Sequence, residues 1–293
     1  QTAVGTLAAT DADAGTTVTF AITGGADASS FTVTGGTLAF ASAPDYETQQ
    51  SYVVVVTASD GTNTTTQEIT VNLTNVSDVA PVFTSANAFS VAEGTDAVAT
   101  LTGSDADGDS LSFSTTLAGA DAADFALTAG GVLTFAATPN FEVPADADAN
   151  NVYSITATIT DGTFTTSQDI TVTVTDINDN SPVLSASTPY TVAEGTTTVG
   201  TVSATDADAS STITYTLSGT DAADFTLSSS GALAFATTPD FEAPADADTD
   251  NSYSLSVTAS DGTNSDTEAI VVNVTDTNDE SPVFTSASSF TVA

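Results

Sequence analysis

A short acidic stretch that ends in proline recurs along the chain, and its spacing sets the size of whatever folds between its copies. It reads Asp176-Ile177-Asn178-Asp179-Asn180-Ser181-Pro182, then Asp276-Thr277-Asn278-Asp279-Glu280-Ser281-Pro282. Asn75-Val76-Ser77-Asp78-Val79-Ala80-Pro81 is a degraded copy. Asp78, Asp179 and Asp279 occupy matching places, so the period is about 100 residues, the size of one small β-domain. Carboxylate and amide oxygens gathered in a hinge between folded units are hard ligands suited to Ca²⁺.

Between the hinges the apolar residues alternate as they do in strands. In the last full repeat, Val183 to Ala193 reads as a first strand, with Pro189 suiting an edge position. Thr197 to Ala204 reads as a second, and Ile213 to Ser218 as a half-buried third. Phe225-Thr226-Leu227 and Leu233-Ala234-Phe235 flank a Ser-Gly turn. Tyr253, Leu255, Val257 and Ala259 share one face of a sixth strand, and Ile270, Val272 and Val274 one face of a seventh. Seven short strands with frequent turn signals and no helical period predict an all-β chain of tandem seven-stranded Greek-key β-sandwiches, stacked end to end.

The middle repeat matches with Ile155, Ala157, Ile159, then Ile170, Val172 and Val174. The first matches with Tyr52, Val54, Val56, Ala58, then Ile69, Val71 and Leu73. It lacks a first strand, and it lacks an acidic insert between Glu47 and Tyr52 that the others carry between Glu142 and Tyr153 and between Glu242 and Tyr253. The expected repeats are 1–78, 79–179 and 180–280, with 281–293 as the first strand of a following one. Phe290-Thr291-Val292-Ala293 aligns with Tyr190-Thr191-Val192-Ala193, and Gln1 with Thr196. The expectation is a window onto a longer array, or a subunit whose ends complement each other.

Composition narrows the function. The chain has 38 acidic residues and no Lys, Arg or His, for a formal charge of −38. A hydrophobic share of 40% sets it apart from acidic disordered tails. Nothing can neutralise phosphate, so nucleic acid is excluded as a partner. No apolar run is long enough to insert directly into a membrane. Without His, Cys or Lys there is no usual base or nucleophile, and the expectation is a protein that is not an enzyme. Only metal cations can offset the carboxylates.

Oxygen ligands stand at fixed stations in each repeat. Ala-Glu-Gly follows the first strand, at Glu93 and Glu194. Asp-Ala-Asp follows the second, at Asp11 and Asp13, Asp105 and Asp107, Asp206 and Asp208. A Pro-Asp-aromatic-Glu station holds Asp45 and Glu47, Asn140 and Glu142, Asp240 and Glu242. Asp-Gly closes the sixth strand at Asp60, Asp161 and Asp261, and the hinge comes last. Loops at opposite poles of a sandwich alternate along the chain, so two poles of successive repeats can meet at one acidic junction.

This constellation resembles the cadherin repeat. The residues that carry the resemblance are Ala193-Glu194-Gly195, Thr205-Asp206-Ala207-Asp208, Pro239-Asp240-Phe241-Glu242, Ala259-Ser260-Asp261 and the hinge at 176–182. The variant looks like the cadherin-like repeats of large bacterial-type cell-surface proteins. The resemblance implies Ca²⁺ between successive repeats, an extracellular or cell-surface location, and further copies of the same repeat as partners. The implied function is a calcium-stiffened rod or filament segment of an adhesin or stalk. The alternative is a discrete subunit that polymerises into a strand-exchanged filament through its C-terminal strand.

By the same resemblance, the second junction would use Glu93, Glu142, Asn178 and Asp179, with backbone oxygens of Ile177 and Asn180. Asp206, Asp208 and Asp261 would face them. The first junction, with Asp45, Glu47, Asp78, Asp105, Asp107 and Asp161, is expected to bind fewer ions or bind them more weakly, because its hinge carries Asn75, Ser77 and Val79. Asp11, Asp13 and Asp60 form one outer pole, and Glu194, Asp240, Glu242, Asn278 and Asp279 the other. Asn140 stands where the pattern has aspartate and lowers the ligand charge there. There is no Trp, so the aromatic strand-exchange anchor of animal cadherins is not carried over. In the insert, Asp146-Ala147-Asp148 and Asp246-Ala247-Asp248 resemble the opening of a Ca²⁺ loop and make a second candidate site.

Overall fold

The computed structural model describes residues 2–291, apart from positions 14, 210, 287 and 290. The chain forms two compact units. One holds Gln1–Phe89, Asp96–Ala137 and Val152–Thr173; the other holds Ser90–Thr95, Thr138–Asn151 and Val174–Ala293.

The second unit contains a complete sandwich. One sheet runs in the order Tyr190–Ala193, Ser265–Thr275, Ser252–Ser260, Thr214–Ser218. The other runs Thr198–Thr201, Ala232–Phe235, Phe225–Leu227. Strict alternation along Ser252–Ser260 turns Tyr253, Leu255, Val257 and Ala259 inward, where they meet Ile270, Val272, Val274 and Leu233 in one core. The period of two puts every second side chain on that face.

The first strand differs from the expected single run. Val183–Ser185 pairs antiparallel with Ser203–Thr205, whereas Tyr190–Ala193 runs parallel to Ser265–Thr275. Pro189 lies between the two pieces and has no N–H to give a ladder, so pairing stops and resumes on the other sheet. The expected second strand likewise divides into Thr198–Thr201 and Ser203–Thr205, with Val202 fully buried between them. Gly200 sits where the register shifts; a Cβ there would stand 2.5 Å from the Tyr190 ring.

The first unit contains a sandwich with one strand fewer. Its sheets run Thr19–Gly24, Ser51–Ser59, Thr64–Asn72 and Ala3–Thr6, Thr37–Phe40, Phe31–Thr34. Among the described residues no strand lies on the outer side of Thr64–Asn72. Ile69, Val71 and Leu73 are therefore only half-buried, while Ile270, Val272 and Val274 are buried. The same unit carries the strand Val152–Thr160 and all but the last two residues of Thr165–Thr175, paired in register from Tyr153 with Val172 to Thr160 with Thr165. In the final segment the described positions 281–286, 288, 289 and 291 are not in a strand; positions 287, 290, 292 and 293 lie outside the described residues.

An aromatic trio recurs in all three repeats and ties the sheets together. Phe225 and Phe235 lie 4.4 Å apart, and Tyr253 from the opposite sheet meets Phe235 edge-on at 5.1 Å. Phe125, Phe135 and Tyr153 repeat this at 4.5 and 5.2 Å, and Phe31, Phe40 and Tyr52 at 4.5 and 5.0 Å. Edge-on contacts of this kind add to the area they bury.

One acidic position outside the stations named above is structural in every repeat. Asp27, Asp121 and Asp221 each accept a backbone N–H with Oδ2, from Val53 at 2.7 Å, Ser154 at 2.6 Å and Ser254 at 2.7 Å. Asp221 also takes the Ala247 N–H on Oδ1 at 2.9 Å. Leu233 is 1% exposed at the centre of its core. Leu233→Ala is expected to lower the unfolding free energy of its sandwich by about 2–5 kcal/mol through lost transfer energy and a residual cavity. Asp221→Ala is expected to cost about 1–3 kcal/mol by stranding two donors. Urea unfolding of the variants checks both; an Asp221→Ala midpoint equal to wild type would mean these bonds do not anchor the turn.

Candidate metal centre

In the second unit the hinge, two glutamates and two loops of the sandwich converge. Glu93 is held first by its own bonds: Oε1 accepts the Ile177 N–H at 2.9 Å and Oε2 the Phe141 N–H at 2.7 Å. This strap aligns the hinge beside Glu142, so that Glu93, Glu142 and Asp176 each offer an oxygen within 4.8 Å of the others. Glu142, Asp179 and Asp208 form a second such group, sharing Glu142. Asp208 takes the Asn180 N–H on Oδ2 at 3.0 Å and its amide on Oδ1 at 2.8 Å. Asp206 takes the Asp208 N–H on Oδ1 at 3.0 Å, and Asp261 takes those of Thr263 and Asn264, both at 2.6 Å.

Those bonds leave oxygens over. Both oxygens of Glu142 and Oδ2 of Asp206 are buried without a hydrogen-bond partner. Burial, then the charges of Glu93 and Asp208, push the Glu142 carboxyl above its ordinary range. Burial, then Glu93, Asp208 and Asp176, do the same to Asp179. Asn178 lies between Asp208 and Asp261. With its amide nitrogen on that side it donates to Oδ2 of each, at 3.3 and 2.9 Å. With its oxygen there, three oxygens face one another, which only a cation makes favourable. The backbone oxygens of Ile177 and Asn180 accept from the Asp179 N–H at 3.0 Å and the Asn264 amide at 2.8 Å.

The first unit builds a comparable centre from fewer hinge ligands. Asp107 takes the N–H groups of Asp78 and Val79 on Oδ2, at 3.1 and 2.9 Å, and its backbone oxygen takes the Asn75 amide at 2.6 Å. Glu47, Asp78 and Asp107 bring oxygens within 4.8 Å of one another. Asp105 Oδ2, Asp107 Oδ1, Asp161 Oδ2 and Ser77 Oγ are buried and unpartnered. The Glu47 carboxyl is pushed above its ordinary range, first by partial loss of solvent around an otherwise exposed side chain and then by Asp107 and Asp45.

At the far end of the third repeat, Glu194 repeats the strap of Glu93, accepting Phe241 and Thr277 N–H groups at 2.6 Å each; these bonds hold it below the usual range. It lies with Glu242 and Asp276. Burial, then Glu194, Asp276 and Asp279, raise Glu242. Asn278 and Asp279 are exposed. In the first unit, Asp11 and Asp60 line one hollow, and Asp11 accepts the Asp13 N–H at 2.8 Å.

Asp45, Asn140 and Asp240 each close their own turn, accepting N–H groups from Glu47, from Val143, and from Glu242 and Ala243. An amide oxygen serves there as well as a carboxylate. In the insert, Asp146 and Asp246 are buried and saturated by the loop itself, Asp246 taking N–H groups of Asp250 at 2.8 Å and Asn251 at 3.3 Å. Asp176 and Asp276, which open the two full hinges, join the centres although the ligand set read from sequence omits them. Their recurrence one period apart was the available signal.

Comparison with known proteins agrees with this architecture. Residues 1–74 match the family model "Cadherin domain", and residues 78–175 match "Bacterial Ig domain". The chain is 35% identical to mouse cadherin EGF LAG seven-pass G-type receptor 2 over 273 residues, covering 86% of this chain and 9% of that protein. Human protocadherin Fat 1 is 38% identical over 150 residues, 48% of this chain and 3% of that one. The chain thus spans less than a tenth of these relatives. Among solved structures, the extracellular cadherin domains 3–6 of protocadherin gamma B2 superimpose with a TM-score of 0.65 at 23% identity, covering 91% of this chain and 68% of that one. Mouse cadherin-23 EC22-24 gives 0.64 at 22%, covering 94% and 92%. At that identity the two structures speak to the fold.

Glu142 generates a prediction with a sign. A carboxyl whose folded pKa is raised adds stability fully below its unfolded value, and that stability is lost as pH rises through the folded value. In chelator, the wild-type protein is expected to lose stability as pH rises above the ordinary glutamate range, and Glu142→Gln to flatten that loss. The same variant is expected to weaken calcium binding on the order of tenfold. Thermal unfolding and calorimetric titration read the two effects; unchanged calcium affinity would remove Glu142 from the centre.

Proposed function

The chain is built of cadherin-like tandem repeats, and on that premise we propose that it is a calcium-stiffened segment of an extracellular, cell-surface protein with a structural and adhesive role. In this reading the repeats are 1–78, 79–179 and 180–280. The observation that carries the reading is the set of buried, unpartnered carboxylate oxygens in each unit, with Asp105 and Asp206 left over at the same station of both, in a chain without one cationic side chain. These oxygens fit a hard divalent cation.

A bound Ca²⁺ supplies the positive charge that turns the repulsion among these carboxylates into attraction. The protein supplies the placement. In the second unit Glu93 and Glu142 belong to one end of the middle repeat, Asn178 and Asp179 to the hinge, and Asp206, Asp208 and Asp261 to the last sandwich. A cation held by all three groups removes the freedom of the hinge. In the first unit Glu47, Asp78, Asp105, Asp107 and Asp161 take the same parts. Like charges at such separations repel by roughly 1 kcal/mol per pair at 4 Å in water, and more where water is excluded.

Small-angle scattering and thermal unfolding test the reading. Millimolar calcium is expected to narrow the distribution of molecular dimensions and raise the melting temperature relative to chelator, and Asp179→Ala is expected to abolish most of the stiffening in the second unit. Identical scattering and melting in both conditions would overturn it.

A further inference from the structure

We propose that Asp109 is a calcium ligand peculiar to the first unit, where it makes good what that unit's hinge lacks; the inference rests on the calcium reading above. Asp105, Asp107 and Asp109 each offer an oxygen within 4.8 Å of the others. Asp107 is only 8% exposed, its Oδ2 is engaged by Asp78 and Val79, and its Oδ1 is buried without a partner. It belongs at once to this group and to that of Glu47 and Asp78. Asp105 is arranged similarly. Its Oδ1 accepts the Asp107 N–H at 2.9 Å and, more weakly, the Asp109 N–H at 3.4 Å, and its Oδ2 is buried and unpartnered. Gly108, at φ 78°, lets the chain turn between Asp107 and Asp109 in a conformation other residues rarely adopt.

The pattern of substitutions fits an exchange of ligands across the hinge. The first hinge has Asn75 and Ser77 where the second has Asp176 and Asn178. It therefore lacks one carboxylate and one amide oxygen, and Ser77 Oγ is left buried without a partner. Two residues beyond the Asp-Ala-Asp station, the middle repeat has Asp109 where the last repeat has Ser210. The carboxylate missing from the hinge is matched by one gained on the loop facing it. Ligand charge sets Ca²⁺ affinity more than which strand end supplies the ligand. The first unit is thus not the weak binder that its hinge alone suggests.

The test uses the full chain, with native mass spectrometry to count bound ions and calorimetric titration to rank them. Asp109→Ser, which installs the residue of the last repeat, is expected to remove one ion at saturation or to weaken one class of ion on the order of tenfold. Far-ultraviolet circular dichroism in chelator should not change. In an Asp107→Asn background the same substitution is expected to add little, since both residues serve one ion. A loss of equal size in that background would mean a general charge effect and would overturn the proposal. So would wild-type ion count and affinity in Asp109→Ser while Glu142→Gln still weakens binding, an outcome that leaves the calcium reading standing. A wild-type chain that takes up no calcium would sink both.

Discussion

No carboxylate in this chain has a cationic side chain to meet, and the structure is arranged around that constraint. A buried acidic group must then be satisfied by backbone N–H groups or by something from outside. Both solutions are present and they fall on different residues. Asp27, Asp221, Asp246 and Glu194 are filled by N–H groups, and Asp27 is held below the usual carboxylate range chiefly by the Gln49 amide and the Val53 N–H. Asp105, Asp107, Asp161 and Asp206 have one oxygen filled and the other left over, and Glu142 has both left over.

The half-filled carboxylates form a site because of the bonds they do make. A backbone N–H on one oxygen fixes the plane of the group, so the other oxygen is aimed before any ion arrives. On the proposed calcium reading, binding orders fewer side chains than it would in a flexible acidic loop. The apolar interior makes this tolerable. The Phe-Phe-Tyr trios and the alternating faces of strands such as Ser252–Ser260 hold the loops at the sheet ends while their charges repel. On that reading, removal of the ions is expected to be expressed at the hinges first; the cores reach up to them at the buried Val174 and Val274.

Much of this was legible in the sequence because its signals are periodic. The alternation in Tyr253, Leu255, Val257 and Ala259 identifies an inward face without knowledge of the partner strand. The loop stations recur at one period, which marks them as a repeated feature of the fold, although Asp45, Asn140 and Asp240 serve to close their turns. What could not be read depends on partners far away in sequence. The change of sheet around Pro189 follows from which strand each flank meets. The turn at Asp221 looks like that at any surface aspartate until the Ser254 N–H is found to need it. Asp109 looks like one more loop acid until Asp105 and Asp107 are placed beside it.

The insert shows how spacing can suggest one chemistry and geometry another. Alternating aspartates at 246, 248 and 250 read as the opening of a metal loop. Folded, Asp246 turns inward and closes the loop on the N–H groups of Asp250 and Asn251, with Thr249 and Asn251 in the left-handed region at φ 58° and 64°. Asparagine tolerates that region better than most residues. Asn251 then donates its amide to the Phe241 carbonyl at 3.0 Å, and the Phe241 N–H donates to Glu194 at 2.6 Å. The middle repeat has the same chain of bonds through Asn151, Phe141 and Glu93. The insert is thus wired to the glutamate strap of the metal centre rather than open to an ion at Asp246. The first repeat lacks the insert and fills the gap with Gln49, whose amide reaches Asp27 at 3.0 Å. Its Glu47 is exposed where Glu142 is half-buried. The two candidate centres therefore present their corresponding glutamates, Glu47 and Glu142, to water differently, and in the one braced by an insert both oxygens of Glu142 are buried without a partner.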